Sequence, residues 1–92
     1  MSAMVQIGSI RKPHGLKGEI KIQIDDRYLE VFLQSGVVFL VEAGQYLPYF
    51  ISEVKGEQGE IIKFEDIDTR EAAESLQGAP IYLKEELAGQ AK

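Results

Sequence analysis

The strongest constraint in this chain is the stretch Pro13-His14-Gly15-Leu16-Lys17-Gly18, set between two apolar-patterned runs. Pro13 has no backbone N–H, so it cannot donate to a strand ladder, and it biases Lys12 toward extended geometry. Gly15 and Gly18 supply the positive φ values that a tight reversal needs. The run that follows has the cleanest strand pattern in the sequence. Over Glu19–Asp25, Ile20, Ile22 and Ile24 take one face, and Glu19, Lys21, Gln23 and Asp25 take the other. The run before it, Met4–Arg11, alternates less regularly. Val5, Ile7 and Ile10 point inward in this reading, and Gly8 marks a bulge or a close approach. The segment Ile7–Ile24 therefore reads as two strands around a constrained turn.

The rest of the chain is compatible with more strands. Asp25-Asp26-Arg27 breaks the pattern, and Tyr28–Leu33 fits a helical turn as well as a strand. Ser35-Gly36 is a turn, and Val37–Glu42 is β-branched and aromatic, hence a strand. Ala43-Gly44-Gln45 reads as a hairpin connection to a strand over Tyr46–Val54, which Pro48 places at an edge or a bulge. Lys55–Gly59 is a polar turn before a strand over Glu60–Glu65. One short helix is predicted near residues 69–77. Asp68 is its expected N-cap with Glu71 at capping-box spacing, Ala72, Ala73 and Leu76 form its apolar face, and Gly78 and Pro80 stop it. Ile81–Lys84 is the last strand, and Glu85–Lys92 loses periodicity, as a linker or frayed tail does. The expectation is a mainly β fold, a small six-stranded antiparallel β-barrel with one short helix, formed by residues 1–84.

Composition limits the chemistry. The 92 residues suffice for one domain, and the absence of cysteine excludes disulfides and thiolate metal sites. One histidine excludes a poly-histidine metal site. No run reaches membrane-spanning length and no signal-peptide pattern opens the chain, in keeping with a cytoplasmic protein. The net charge of −5 is unevenly placed. Arg11, Lys12, Lys17 and Lys21 face only Glu19 in their segment, whereas Glu53–Glu74 carries eight acids against Lys55, Lys63 and Arg70. The turn lacks phosphate-loop spacing and a following helix. His14 has no nucleophile beside it, so the residues offer no catalytic constellation, and its simplest role is packing on the turn or bonding backbone. Glu65, Asp66 and Asp68 read as solvated acids at a helix start rather than as metal ligands. Tyr28, Tyr46, Tyr49 and Tyr82 read as barrel packing rather than base stacking. No catalytic residue, metal site or cofactor is expected. Arg11, Lys12, His14, Lys17 and Lys21 remain as the candidate partner-binding surface, on a turn shaped by Pro13, Gly15 and Gly18.

The segment Ile7-Gly8-Ser9-Ile10-Arg11-Lys12-Pro13-His14-Gly15-Leu16-Lys17-Gly18-Glu19-Ile20-Lys21-Ile22 closely resembles the N-terminal signature of the RimM family of ribosome maturation factors, the bacterial 16S rRNA-processing proteins. Lys63-Phe64-Glu65, followed by Asp68, Arg70, Ala72-Ala73-Glu74, Leu76 and Gly78, resembles the family's strand, short helix and return to a final strand. The two blocks bracket nearly the whole chain. The resemblance implies a barrel like those of translation factors and a non-catalytic role, as an assembly chaperone, in maturation of the small (30S) ribosomal subunit. It implies binding of a ribosomal protein of the subunit head, by a monomer, with no cofactor and no membrane. It also implies a second, C-terminal PRC-type barrel, which these residues lack, so that residues 85–92 would begin the linker to it. Two other readings stay open. One is a barrel that touches 16S rRNA directly; the other is a structural domain that only orients the second barrel.

Overall fold

The computed structural model describes residues 3–91. Its strands are β1 (Met4–Pro13), β2 (Ile20–Ile24), β3 (Val37–Glu42), β4 (Gln45–Lys55), β5 (Ile61–Phe64) and β6 (Pro80–Lys84). They close into a barrel in the order β1-β2-β5-β4-β3-β6, and every pairing is antiparallel. The expected fold class holds.

β1 is long enough to serve two partners. Gly8–Pro13 pairs with Ile20–Ile24, and Met4–Ser9 pairs with Pro80–Lys84. Its register breaks twice, between Gln6 and Gly8 against β6 and between Ile10 and Lys12 against β2. An extra residue at a bulge shifts the inward phase. The buried positions of β1 therefore run Ile7, Ile10 and Pro13 rather than by strict alternation, which accounts for its irregular pattern. Gly8 is also a close approach: a Cβ there would overlap the Gln23 carbonyl and lie 2.9 Å from the Ile24 Cα.

The core is wholly apolar among the described residues. Ile7, Ile10, Ile20, Ile22, Val38, Leu40, Ile62, Phe64, Ile81 and Leu83 enter it from the strands. Helices complete it. The ambiguous stretch after β2 forms a 3-10 turn, Asp26–Tyr28, and then α1, Leu29–Ser35. The Asp25 carboxylate accepts the Arg27 N–H at 2.9 Å to start this segment, and Gly36, at φ 72°, ends it. That geometry lets both Val31 and Phe32 reach the core.

The helix predicted near residues 69–77 is α2, Arg70–Glu74. Its cap corrects the expectation: Thr69, not Asp68, accepts the Ala72 N–H, at 3.1 Å. Glu71 then falls too early for a capping box. Asp68 instead binds the Lys63 ammonium at 2.7 Å. Gly78 has the expected positive φ of 84°, but its N–H bonds the Ile10 carbonyl, fastening the end of this segment to β1.

Among the described residues, the segment after Lys84 begins with a helical turn rather than irregular chain. It forms α3, Glu85–Ala88, whose first N–H bonds the Ala3 carbonyl at 2.9 Å. Ala88 is buried and Ala91 packs on the core, so this piece has an apolar face too sparse to show as periodicity. Of the expected tail, Lys92 lies outside the described residues, as do Met1 and Ser2 of the expected domain.

Phe32 is fully buried, whereas Phe50, on the outer surface of β4, is 53% exposed. Phe32→Ala is expected to lower the unfolding free energy by about 3–5 kcal/mol. Phe50→Ala should change it by no more than about 0.5 kcal/mol. Urea unfolding of the two variants checks the inside–outside assignment.

Candidate functional site

The reversal between β1 and β2 is held from three directions. The His14 N–H donates to the Glu19 carbonyl at 2.8 Å, closing the loop on itself. Pro13 is the last residue of β1, buried opposite Ile20, so the turn proper starts after it. Gly15 and Gly18 take φ values of 77° and 93°. Gly18 lies against the connection between β5 and α2, so close that a Cβ would overlap the Ile67 carbonyl. From the first position of α2, Arg70 donates through Nη1 to the Gly15 carbonyl at 3.0 Å, while its Nε bonds Glu74 at 3.2 Å. The segments that carry the two blocks of family-like residues thus meet, and one braces the other.

This loop displays charge. Arg11, Lys12, His14, Lys17 and Lys21 are all exposed, as the sequence-based assignment requires. Arg11 bonds the Gln23 side chain at 3.2 Å. The His14 imidazole stays in solvent; only its backbone N–H joins the turn, contrary to the expected packing. Glu19, the acid of the segment, is taken by Lys55 of β4 at 2.6 Å. The bond from Lys55 holds the Glu19 carboxyl below its ordinary value, against a smaller opposing effect of desolvation, and raises the Lys55 ammonium in turn. Lys63 and Arg70 likewise pair with Asp68 and Glu74. Among the described residues, Lys12, Lys17 and Lys21 have no carboxylate within ion-pairing distance. Lys63 and Arg70 are thus spent within the acid-rich half, and the turn's lysines make no close ion pair, although His14 and Lys17 help to lower the Glu19 carboxyl weakly. Lys21 acts weakly on Glu60, whose carboxyl is lowered chiefly by its own and the Gln58 N–H.

Two residues of this surface escaped the sequence reading. Arg70 had only its place in the second family-like block to announce it. Leu16 sits at the tip of the turn with 77% of its surface exposed. Its signal was present: an apolar side chain between glycines and cations, belonging to neither strand's inward set.

Other candidates disperse. Asp66 sits in a turn at φ 70° and Asp68 is paired, so Glu65, Asp66 and Asp68 belong to the connection before α2. Among the described residues no three acid or histidine side chains gather as metal ligands would. Tyr46 and Tyr82 meet edge to face at 5.1 Å, Tyr49 packs on Phe64 at 5.2 Å, and Tyr28 packs against the core, so the tyrosines serve the barrel walls. The Tyr49 hydroxyl bonds Glu42; burial first, then this carboxylate, pushes the phenol to about 12. Three depressions of about 250 to 400 Å³ indent the surface, and no residue of the basic turn lines them. No helix of the described residues is long and apolar enough to cross a membrane.

The class these features define is a closed six-stranded barrel domain that presents a braced basic loop. A family model described as the RimM N-terminal domain matches residues 5–88, and the chain belongs to the RimM family. A ribosome maturation factor RimM of Oleidesulfovibrio alaskensis is 39% identical over 89 residues, covering 90% of this chain and 47% of that protein. The solution structure of the N-terminal domain of RimM from Thermus thermophilus superposes with a TM-score of 0.68 at 25% identity, covering 87% of each chain. A crystal structure of a Pseudomonas aeruginosa 16S ribosomal RNA processing protein RimM gives a TM-score of 0.76. At 23% identity over 91% of this chain and 52% of that one, it supports the barrel fold. The chain spans about half the length of the curated relatives it matches.

The bracing of the turn is testable with two glycines. Gly15 has open space around its missing Cβ, so Gly15→Ala is expected to cost only the strain of positive φ, about 1–2 kcal/mol. Gly18→Ala adds a backbone clash and should cost clearly more; equal costs in urea unfolding would refute the packing of the turn on Ile67. The Glu19–Lys55 pair predicts a pH effect. A lowered carboxylate pKa stabilises the fold above the unfolded value and is lost as pH falls through the folded one. Lys55→Gln should therefore shift the Glu19 titration, followed by carboxyl NMR, upward toward the ordinary carboxylate range.

Proposed function

We propose that this domain is a non-catalytic docking module of a cytoplasmic ribosome maturation factor, assisting maturation of the small subunit and its 16S rRNA by binding the subunit head. The docking surface in this reading is the basic turn, with Arg11, Lys12, His14, Lys17 and Lys21. The observation that carries it is the charge arrangement. In a chain of net charge −5, the acid of this segment is neutralised by Lys55, and the lysines of the turn are left without close partners. Holding several like charges together on a braced loop is unfavourable for the isolated domain and favourable on a complementary surface. Family membership supplies the kind of assembly, since the relatives are named ribosome maturation factors. A ribosomal protein of the head is the favoured partner, because the acidic balance of the whole domain opposes sequence-independent binding to RNA.

Co-sedimentation with purified small ribosomal subunits tests this. The chain is expected to bind, and the double variant Lys12→Glu, Lys17→Glu to bind at least about tenfold more weakly. Equal binding of variant and parent would end the proposal. The salt dependence separates the direct rRNA contact: releasing counterions from several phosphates gives a steep fall in affinity with salt, steeper than the screening of ion pairs on a protein surface.

A further inference from the structure

We infer that Leu16 is an apolar anchor, and that the surface receiving the basic turn is a folded protein with an apolar socket rimmed by carboxylates. This rests on the docking role of the turn proposed above and names the kind of partner it fits. Leu16 is the most exposed large apolar residue among the described residues, at 77%, and it stands at the tip of the loop. It does not belong to the core cluster, and the fold draws nothing from it. The loop beneath it is nevertheless braced by a distant segment. The Arg70 guanidinium grips Gly15 on one side of Leu16, and Gly18 is seated against Ile67 two residues further on. Bracing of this kind keeps an exposed side chain in one place, which lowers the entropy lost when it is bound.

The chemistry of the tip selects the partner. A leucine gains by leaving water for an apolar cavity, and it offers no aromatic face on which a base could stack. The chain's tyrosines and phenylalanines all lie outside the turn, where the His14 imidazole is the one aromatic ring. Interfaces between proteins place an apolar residue in a fully desolvated pocket and charged residues on the rim. The turn has the residues for it: exposed Leu16 lies between exposed Lys12, His14 and Lys17 along the chain. Cations around an apolar tip call for acids around an apolar socket.

The test places a diazirine-bearing analogue of leucine at position 16 and irradiates the chain bound to purified small ribosomal subunits. The expected product is a cross-link that protease destroys and ribonuclease leaves intact. A cross-link to RNA, or none from a bound complex, overturns the inference. Affinities provide a second readout. Leu16→Ala should weaken binding about tenfold, and Leu16→Met, of similar volume, no more than about twofold. Both should unfold like the parent in urea, because the side chain is in solvent. If Lys12→Glu, Lys17→Glu weakens binding while Leu16→Ala does not, the docking loop stands and the anchor falls. If neither set of changes matters, or the chain does not bind small subunits, the reading beneath the anchor falls with it.

Discussion

Closure of the barrel on β1 is the constraint from which the rest of the structure follows. A sheet of six short strands in so small a chain would otherwise leave two open edges and a half-covered core. β1 prevents this by pairing with β2 along one part of its length and β6 along another. The overlap of the two pairings falls at Gly8 and Ser9, and there the Gln23 carbonyl comes too close for any side chain on residue 8. The bulges on either side turn Ile7 and Ile10 inward. Closure and the core are thus one event, and the turn after β1 inherits its direction from it.

The same closure brings the β5–α2 connection under that turn. Gly18 against Ile67 and Arg70 on the Gly15 carbonyl join residues about fifty positions apart in the chain. Their joint effect is on presentation. Lys55 removes the acid of the segment, Lys63 and Arg70 take acids of their own half, and the turn lysines are left facing solvent. Each of these exposed pairs contributes little to stability by itself. Their larger consequence is in where uncompensated charge remains, and with what side chain, Leu16, at its centre.

Much of the fold was legible because period-two patterns survive wherever one strand face is buried and the other wet. Glu19–Asp25, Val37–Glu42 and Ile81–Lys84 lie within a residue of β2, β3 and β6. Where the pattern was ambiguous or misleading, the causes are local. α1 is short, and its Leu29, Phe32 and Leu33 suit a strand equally well. The cap of α2 moved from Asp68 to Thr69 because Asp68 is claimed by Lys63, a partner from another strand. α3 looked like a tail because a single buried alanine and one packed alanine leave no pattern in eight residues. The cations of the site were legible as a cluster in sequence. Arg70 was not, since its relation to the turn exists only across the closed barrel.

By itself, the sequence determined the strand faces, the place of the turn and the collection of cations on it. These depend on side-chain alternation, on the backbone freedom of glycine and on proximity along the chain, all of which are local. Tertiary structure decided that Glu19 is neutralised, that the turn is braced by Ile67 and Arg70, and that Leu16 stands in solvent at its tip. Those outcomes require two distant segments to meet. Only closure of the barrel brings them together, because pairing energy is gained between strands and not along them.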